Sequence, residues 1–328
     1  MAEIVTALAS ANSPMLILSP EQWLMYAETD KQNPQLYDPQ GRTVNYEQLV
    51  KLNGDRYARE ASLERFKQQH TQIQRALERQ ATELAAAKPD VVVILSYVSR
   101  DLFGLDNQPG LYIFGGPKMI SRGHPLPADA PAWMRDQAAG WGQDRHREFP
   151  VASSFARELA SRLATQADVA YAEELPNPAN LGFGHIFTYP AMRLIGDSGI
   201  AVVPIAINVM MEPNIPPPAR CYAIGQALAA ALDAVAGRAR VAIVSSASLC
   251  HFTVNEALDG QVVRGLREGK PELLRGVPVS NLNGQNGQLR IYITLGGILQ
   301  DRPIRWSEYL AIYRTPAGTG VGLLFAGW

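Results

Sequence analysis

Hydrophobic positions fall into two kinds of pattern along the chain. Short runs at 4–8, 91–97, 111–114, 200–209, 241–245, 289–295 and 321–325 are apolar and rich in β-branched and aromatic residues, which is the composition of strands. Two of them, Val91-Val92-Val93-Ile94-Leu95 and Ile200-Ala201-Val202-Val203-Pro204-Ile205, are apolar almost throughout, as expected of strands buried on both faces at the centre of a sheet. From 54 to 87 the spacing changes. Breakers are few there, and Leu63, Phe66, Ile73, Leu77 and Leu84 recur on one stripe together with His70 and Gln80, so a single long amphipathic helix is predicted, ending before Pro89. Further helices are predicted over 153–164, 219–236, 254–267 and 307–313, the second entered through the stiff run Pro216-Pro217-Pro218. Strands alternating with helices predict an α/β fold, a sheet covered by helices.

No shift in composition, internal repeat or low-complexity tract divides residues 1–328, so one domain is expected, with the helix at 54–87 as an insertion. The region 115–150 is irregular and holds Gly115-Gly116-Pro117, Pro125, Pro127, Pro131, Trp133 and Trp141; long irregular segments in compact domains often serve as lids. Apolar residues make up 47% of the chain, enough for a large core, and 30 Lys and Arg balance 31 Asp and Glu. That balance gives no overall field toward nucleic acid or an anionic membrane. Cys221 and Cys250 form no paired motif, which removes disulfide scaffolding and the usual zinc patterns. The first residues carry Glu3 and no basic start, and no apolar run approaches the ~18 residues of a bilayer span. A cytoplasmic protein is expected.

Candidate chemistry rests on two of the five histidines. His251 follows the predicted strand at 241–245 through Ser246-Ala247-Ser248-Leu249-Cys250, just beyond a strand's carboxyl end, where open α/β sheets gather their ligand sites. An imidazole there is suited to proton transfer; a satisfied loop or capping histidine is the plain alternative. His185 lies in Gly182-Phe183-Gly184-His185-Ile186-Phe187-Thr188-Tyr189, a pocket wall with the Tyr189 phenol nearby, or equally a buried structural histidine. His-Glu-x-x-His, Walker, dinucleotide-fingerprint and nucleophile-elbow motifs are missing from the sequence.

Three segments together resemble the class III extradiol ring-cleavage dioxygenases, and among them the β-subunit of protocatechuate 4,5-dioxygenase. They are Cys250-His251, the run from Pro216 to Gly225, and Tyr313-Arg314-Thr315-Pro316-Ala317-Gly318-Thr319-Gly320. The resemblance runs from about Ser10 to the C-terminus, outside the long helix, and implies a single α/β domain with a central mixed sheet flanked by helices. It also implies a catalytic iron(II) held by two histidines and a glutamate. At those three positions this chain reads Asn12 in Ser10-Ala11-Asn12-Ser13-Pro14, Arg100 in Tyr97-Val98-Ser99-Arg100, and Gln288 in Gln288-Leu289-Arg290-Ile291-Tyr292. The family's two auxiliary histidines map onto His185 and His251.

Two amides and a guanidinium are poor replacements for a facial triad of two imidazoles and a carboxylate. The expectation is a metal-independent enzyme acting on a phenolic or aromatic-acid compound through a lyase, hydrolytic or isomerising step. In it Arg100 anchors a substrate anion, His251 acts as base and then acid, and His185 and Tyr189 orient the substrate. Asn12 and Gln288 donate amide contacts, and no cofactor is expected. One alternative is a non-catalytic, iron-less partner subunit beside a homologous catalytic chain; otherwise a homo-oligomer is expected. The other is an iron(II) dioxygenase with atypical ligands such as Asp101, Asp106 or His124.

Overall fold

The computed structural model describes residues 2–175 and 181–328. The main sheet has nine strands: β1 (Glu3–Ser10), β2 (Val91–Tyr97), β3 (Leu111–Phe114), β4 (Ala170–Ala172), β5 (Ala201–Ile207), β6 (Arg240–Ser246), β7 (His251–Thr253), β8 (Trp306–Tyr313) and β9 (Thr319–Gly327). Its order is β7-β9-β1-β6-β2-β5-β3-β4, with β8 on the far edge of β9. The four central strands, β1, β6, β2 and β5, are mutually parallel, while β9 runs antiparallel to β1 and β3 antiparallel to β5. Every residue of β2 is buried, and because alternate strand side chains point to opposite faces, both faces of the sheet are covered.

The helices are α1 (Pro20–Asp30), α2 (Tyr46–Asn53), α3 (Leu63–Ala87), α4 (Ala132–Gly140), α5 (Ser153–Leu163), α6 (His185–Pro190), α7 (Pro218–Ala234), α8 (Glu256–Arg267), α9 (Pro271–Arg275) and α10 (Leu289–Leu299). The long stretch at 54–87 narrows to α3. Ser62 caps it by accepting the Arg65 N–H, and Lys88, in the left-handed region ahead of Pro89, ends it. Its buried stripe holds Phe66, Ile73, Leu77 and Leu84, and also two glutamines. Gln69 donates to the Ala311 carbonyl at 2.8 Å and Gln80 to that of Ala9 at 2.6 Å, so polar members of the stripe fasten α3 to the sheet.

Two expectations exchange places. The run 289–295, read as a strand, belongs to α10, and 307–313, read as a helix, lies in β8. All eleven residues of α10 are buried, and a helix buried on every side shows no amphipathic stripe, so its largely apolar run reads like a doubly covered strand. Tertiary packing decides it: α10 lies against α7 with Gly297 over the Tyr222 carbonyl and Gly225 over that of Thr294, each so close that a methyl group would collide. In β8, residues Trp306 to Tyr313 pair one for one with β9, and the ladder overrides weak helical spacing. The region 115–150 is also more ordered than expected. Lys118–Ser121 and Arg147–Pro150 pair as a small hairpin around α4. No helix among the described residues is long and apolar enough to cross a membrane.

Candidate functional site

The carboxyl ends of β1, β6, β2 and β5 open on one side of the sheet, and the loops leaving them carry most of the expected site residues. Asn12 follows β1, Arg100 follows β2, and the segment 246–251 leaves β6. That segment is tied down from several directions. The Asn12 N–H donates to the Ala247 carbonyl at 3.2 Å, Asn12 Nδ2 donates to Ser246 Oγ at 3.2 Å, and Ser96 Oγ donates to the Ser246 carbonyl at 2.7 Å. Ser248 donates its hydroxyl to the Asn12 carbonyl and its N–H to Gln288 Oε1, the latter at 2.9 Å, while Gln288 Nε2 donates to Gln285 Oε1 at 2.8 Å. Tyr292 OH, from α10, reaches the Ala247 carbonyl at 2.5 Å.

Asn12 and Gln288 thus converge on Ser248, and both are buried and engaged within the protein. The donors expected to meet a substrate are directed at Ser246 and Gln285, so the two amides act as fasteners of the loop. Arg100 does not join them. It is exposed and borders a groove of about 560 Å³ with Phe103, Leu105, Met210, Met211 and Glu212. Gln285 Nε2 lies 3.6 Å from Met210 Sδ, so this groove abuts the fastened loop.

Iron(II) does not fit the donor set at the three positions. One amide oxygen already accepts a backbone N–H, the remaining groups are an amide and a guanidinium, and a fixed cation opposes a second one. Nor do the atypical ligands assemble. Asp106 is exposed, and among the described residues no three His, Cys, Asp or Glu side chains converge in a metal-binding group.

The two expected histidines are brought within reach of each other's charge. His251 opens β7. Its N–H donates to Asn286 Oδ1 at 2.7 Å, its ring meets Phe252 at 4.4 Å between centroids, and its buried Nδ1 has no hydrogen-bond partner among the described residues. Burial, then the Arg314 guanidinium, then His185 push its pKa down to about 3. His185 is the first residue of α6, and its ring lies flat on Trp141 with centroids 4.0 Å apart and planes 19° apart. Burial, with His124 adding to it, lowers His185 to about 3 as well. Both rings are therefore neutral at pH 7. Tyr189, one turn along α6 from His185, is buried, and that burial raises its phenol pKa so that it stays protonated.

Three contributors take parts that the sequence does not assign them, and of these His124 is expected only as an atypical iron ligand. His124 had no motif around it, yet its Nε2 sits 2.9 Å from Gln143 Nε2, and its charge is felt by both His185 and Asp101. Burial raises the Asp101 carboxyl and His124 partly offsets that rise. Trp141, like His124, belongs to the region 115–150 that was read as a lid; that placement was the available signal. The third is Arg314, the guanidinium whose field His251 actually feels. It is buried and paired with Asp30 through Nε at 2.8 Å and Nη2 at 2.9 Å, and Thr319 Oγ1 adds a bond to the same carboxylate at 2.7 Å. Comparison of the sequence with protein-family models and with curated proteins finds no match, so the reading of this site rests on its geometry.

Proposed function

We propose that the chain is an acid–base enzyme of the extradiol ring-cleavage superfamily that acts without that family's iron(II) on a phenolic or aromatic-acid compound, by a lyase, hydrolytic or isomerising step. The observation that carries this reading is the His251 ring, whose buried Nδ1 has no partner among the described residues and which stands beyond the carboxyl ends of the central parallel strands. A buried ring nitrogen left unpaired costs stability, and a hydrogen bond with a ligand would satisfy it.

The low proton affinity of His251 says what kind of ligand fits. An imidazole with a pKa near 3 is a weak base alone, but an anion beside it favours the imidazolium and raises its affinity for a proton. A phenol bearing a carboxylate supplies both the proton and the charge. His251 would take the phenolic proton, leaving a phenolate and an imidazolium, and would return it to carbon or to the leaving group as the bond rearranges. His185, held flat by Trp141, offers a second neutral imidazole, and Tyr189 a phenolic donor. Arg100 at the groove draws the anion in.

The test is turnover of a panel of hydroxybenzoates, hydroxycinnamates and catecholic acids by the wild type and by His251→Ala. Loss of at least about a hundredfold in rate is expected, the lower range for a general acid–base group, with cooperative unfolding preserved. Turnover that survives the substitution overturns the reading.

A further inference from the structure

Behind His251 lies a buried polar cluster that the proposed chemistry does not use. Asp259 of α8 is fully buried, and its carboxyl receives three donors. Oδ1 accepts the Cys250 N–H at 2.8 Å, while Oδ2 accepts the Cys250 thiol at 2.9 Å and Tyr309 OH at 2.9 Å. Gly322 of β9 faces Oδ2 so closely that a side chain there would displace the carboxyl.

The next residue is clamped as well. The His251 N–H is held by Asn286 Oδ1 at 2.7 Å, so two consecutive amides are pinned by side chains from two separate helical segments. Phe252 follows at φ 66°, left-handed for a residue that carries a side chain, a conformation that persists only where its surroundings enforce it. An edge strand as short as β7 needs no such restraint for its own pairing, which β9 already supplies. Among the described residues, none hydrogen-bonds His251 Nδ1 to orient the ring. The backbone that carries it and the Phe252 ring it meets bear on its aim.

We propose that Asp259 is a positioning residue for His251: by seating the Cys250 amide and thiol against Gly322, with Tyr309 steadying the second oxygen, it fixes the Cys250–His251 peptide and so the direction in which the imidazole points. The proposal rests on reading His251 as the proton-transfer group, but its readout is the ring's own state and not turnover. A silent His251→Ala would therefore sink the functional reading and leave this one standing.

The experiment follows the His251 imidazole by nitrogen-15 NMR across pH in the full chain, with Cys250 labelling by Ellman's reagent as a second gauge and buried Cys221 as internal control. In Asp259→Ala the ring's titration moves back toward that of a free histidine. Labelling of Cys250 accelerates roughly ten- to a hundredfold, the factor expected when a charge-assisted hydrogen bond closing a local segment is lost. Asp259→Asn, which keeps an oxygen for the Cys250 N–H, restores most of the wild-type titration. Should Asp259→Ala not fold, Tyr309→Phe carries the test, with a smaller shift of the same sign. An unchanged His251 titration in a folded Asp259→Ala, or in Tyr309→Phe if that is the variant available, overturns the proposal and leaves Asp259 a part of the core alone.

Discussion

His251 and His185 are held neutral by burial, reinforced at His251 by the Arg314 guanidinium, and this arrangement works against the folded state in acid. Their pKa values in the fold lie near 3, below the ordinary histidine value of 6.5. Between those two values the unfolded chain binds more protons than the native one, so stability falls as pH drops from about 6.5 toward 3. Asp259 acts with the opposite sign. Burial raises it to about 6 from an ordinary 3.8, with Glu256 adding to the rise, so its ionisation opposes folding above about 6 and that opposition fades as pH falls toward 3.8. Over the interval from 6 to 4 the two effects oppose each other. His251→Gln is expected to lose less stability than the wild type on going from pH 7 to pH 5, by at most about 2 kcal/mol, reduced by the partial exposure of the ring. Urea denaturation at the two pH values measures it, and equal losses in the two proteins would refute it.

At the scale of elements, legibility followed how far each signal depends on distant parts of the chain. Strands β2 and β5 could be read directly, because their apolar runs are short, β-branched and closed by Pro89 or Gly199. Helix α3 showed its stripe. Helix α10 and strand β8 were exchanged because one is buried all round and the other is an edge strand with mixed polarity, and neither keeps the period of its own class. The site divides in the same way. His185 and His251 could be found because each follows a local breaker or strand end. Arg314 and Asp30 could not, since the pair closes across 284 residues and no local pattern announces it. Contact between α7 and α10 depends on close approach at Gly225 and Gly297, which no local pattern announces. Gly297→Ala presses a methyl group against the Tyr222 carbonyl, a backbone atom that cannot rotate away. A loss of about 1–3 kcal/mol in unfolding free energy is expected, the usual cost of overpacking. Unchanged stability would mean that the two helices slide apart freely.

Over the whole molecule, the near-zero net charge hides an uneven placement of cations around the candidate site. Arg314 is buried and neutralised by Asp30, which ties the end of α1 to the turn between β8 and β9. Arg100 is exposed at the groove beside Met210 and Met211. One cation therefore depresses His251 permanently, and the other is free to meet an anion arriving from solvent. If the pocket works as proposed, an aromatic carboxylate that settles near His251 must raise the ring's proton affinity, and the complex must take up a proton from the medium. Calorimetric titration with benzoate, which carries the charge but no phenolic proton to hand over, at pH 6 in two buffers of different ionisation enthalpy, gives the number of protons bound per ligand. Measurable uptake is expected in the wild type and none in His251→Ala. Arg100→Met is expected to bind roughly tenfold more weakly and with less dependence on salt, as follows from removing one charge-assisted contact near the surface. Binding without proton uptake would show that the ligand's charge does not reach His251, and acid–base catalysis at that ring would have to be abandoned.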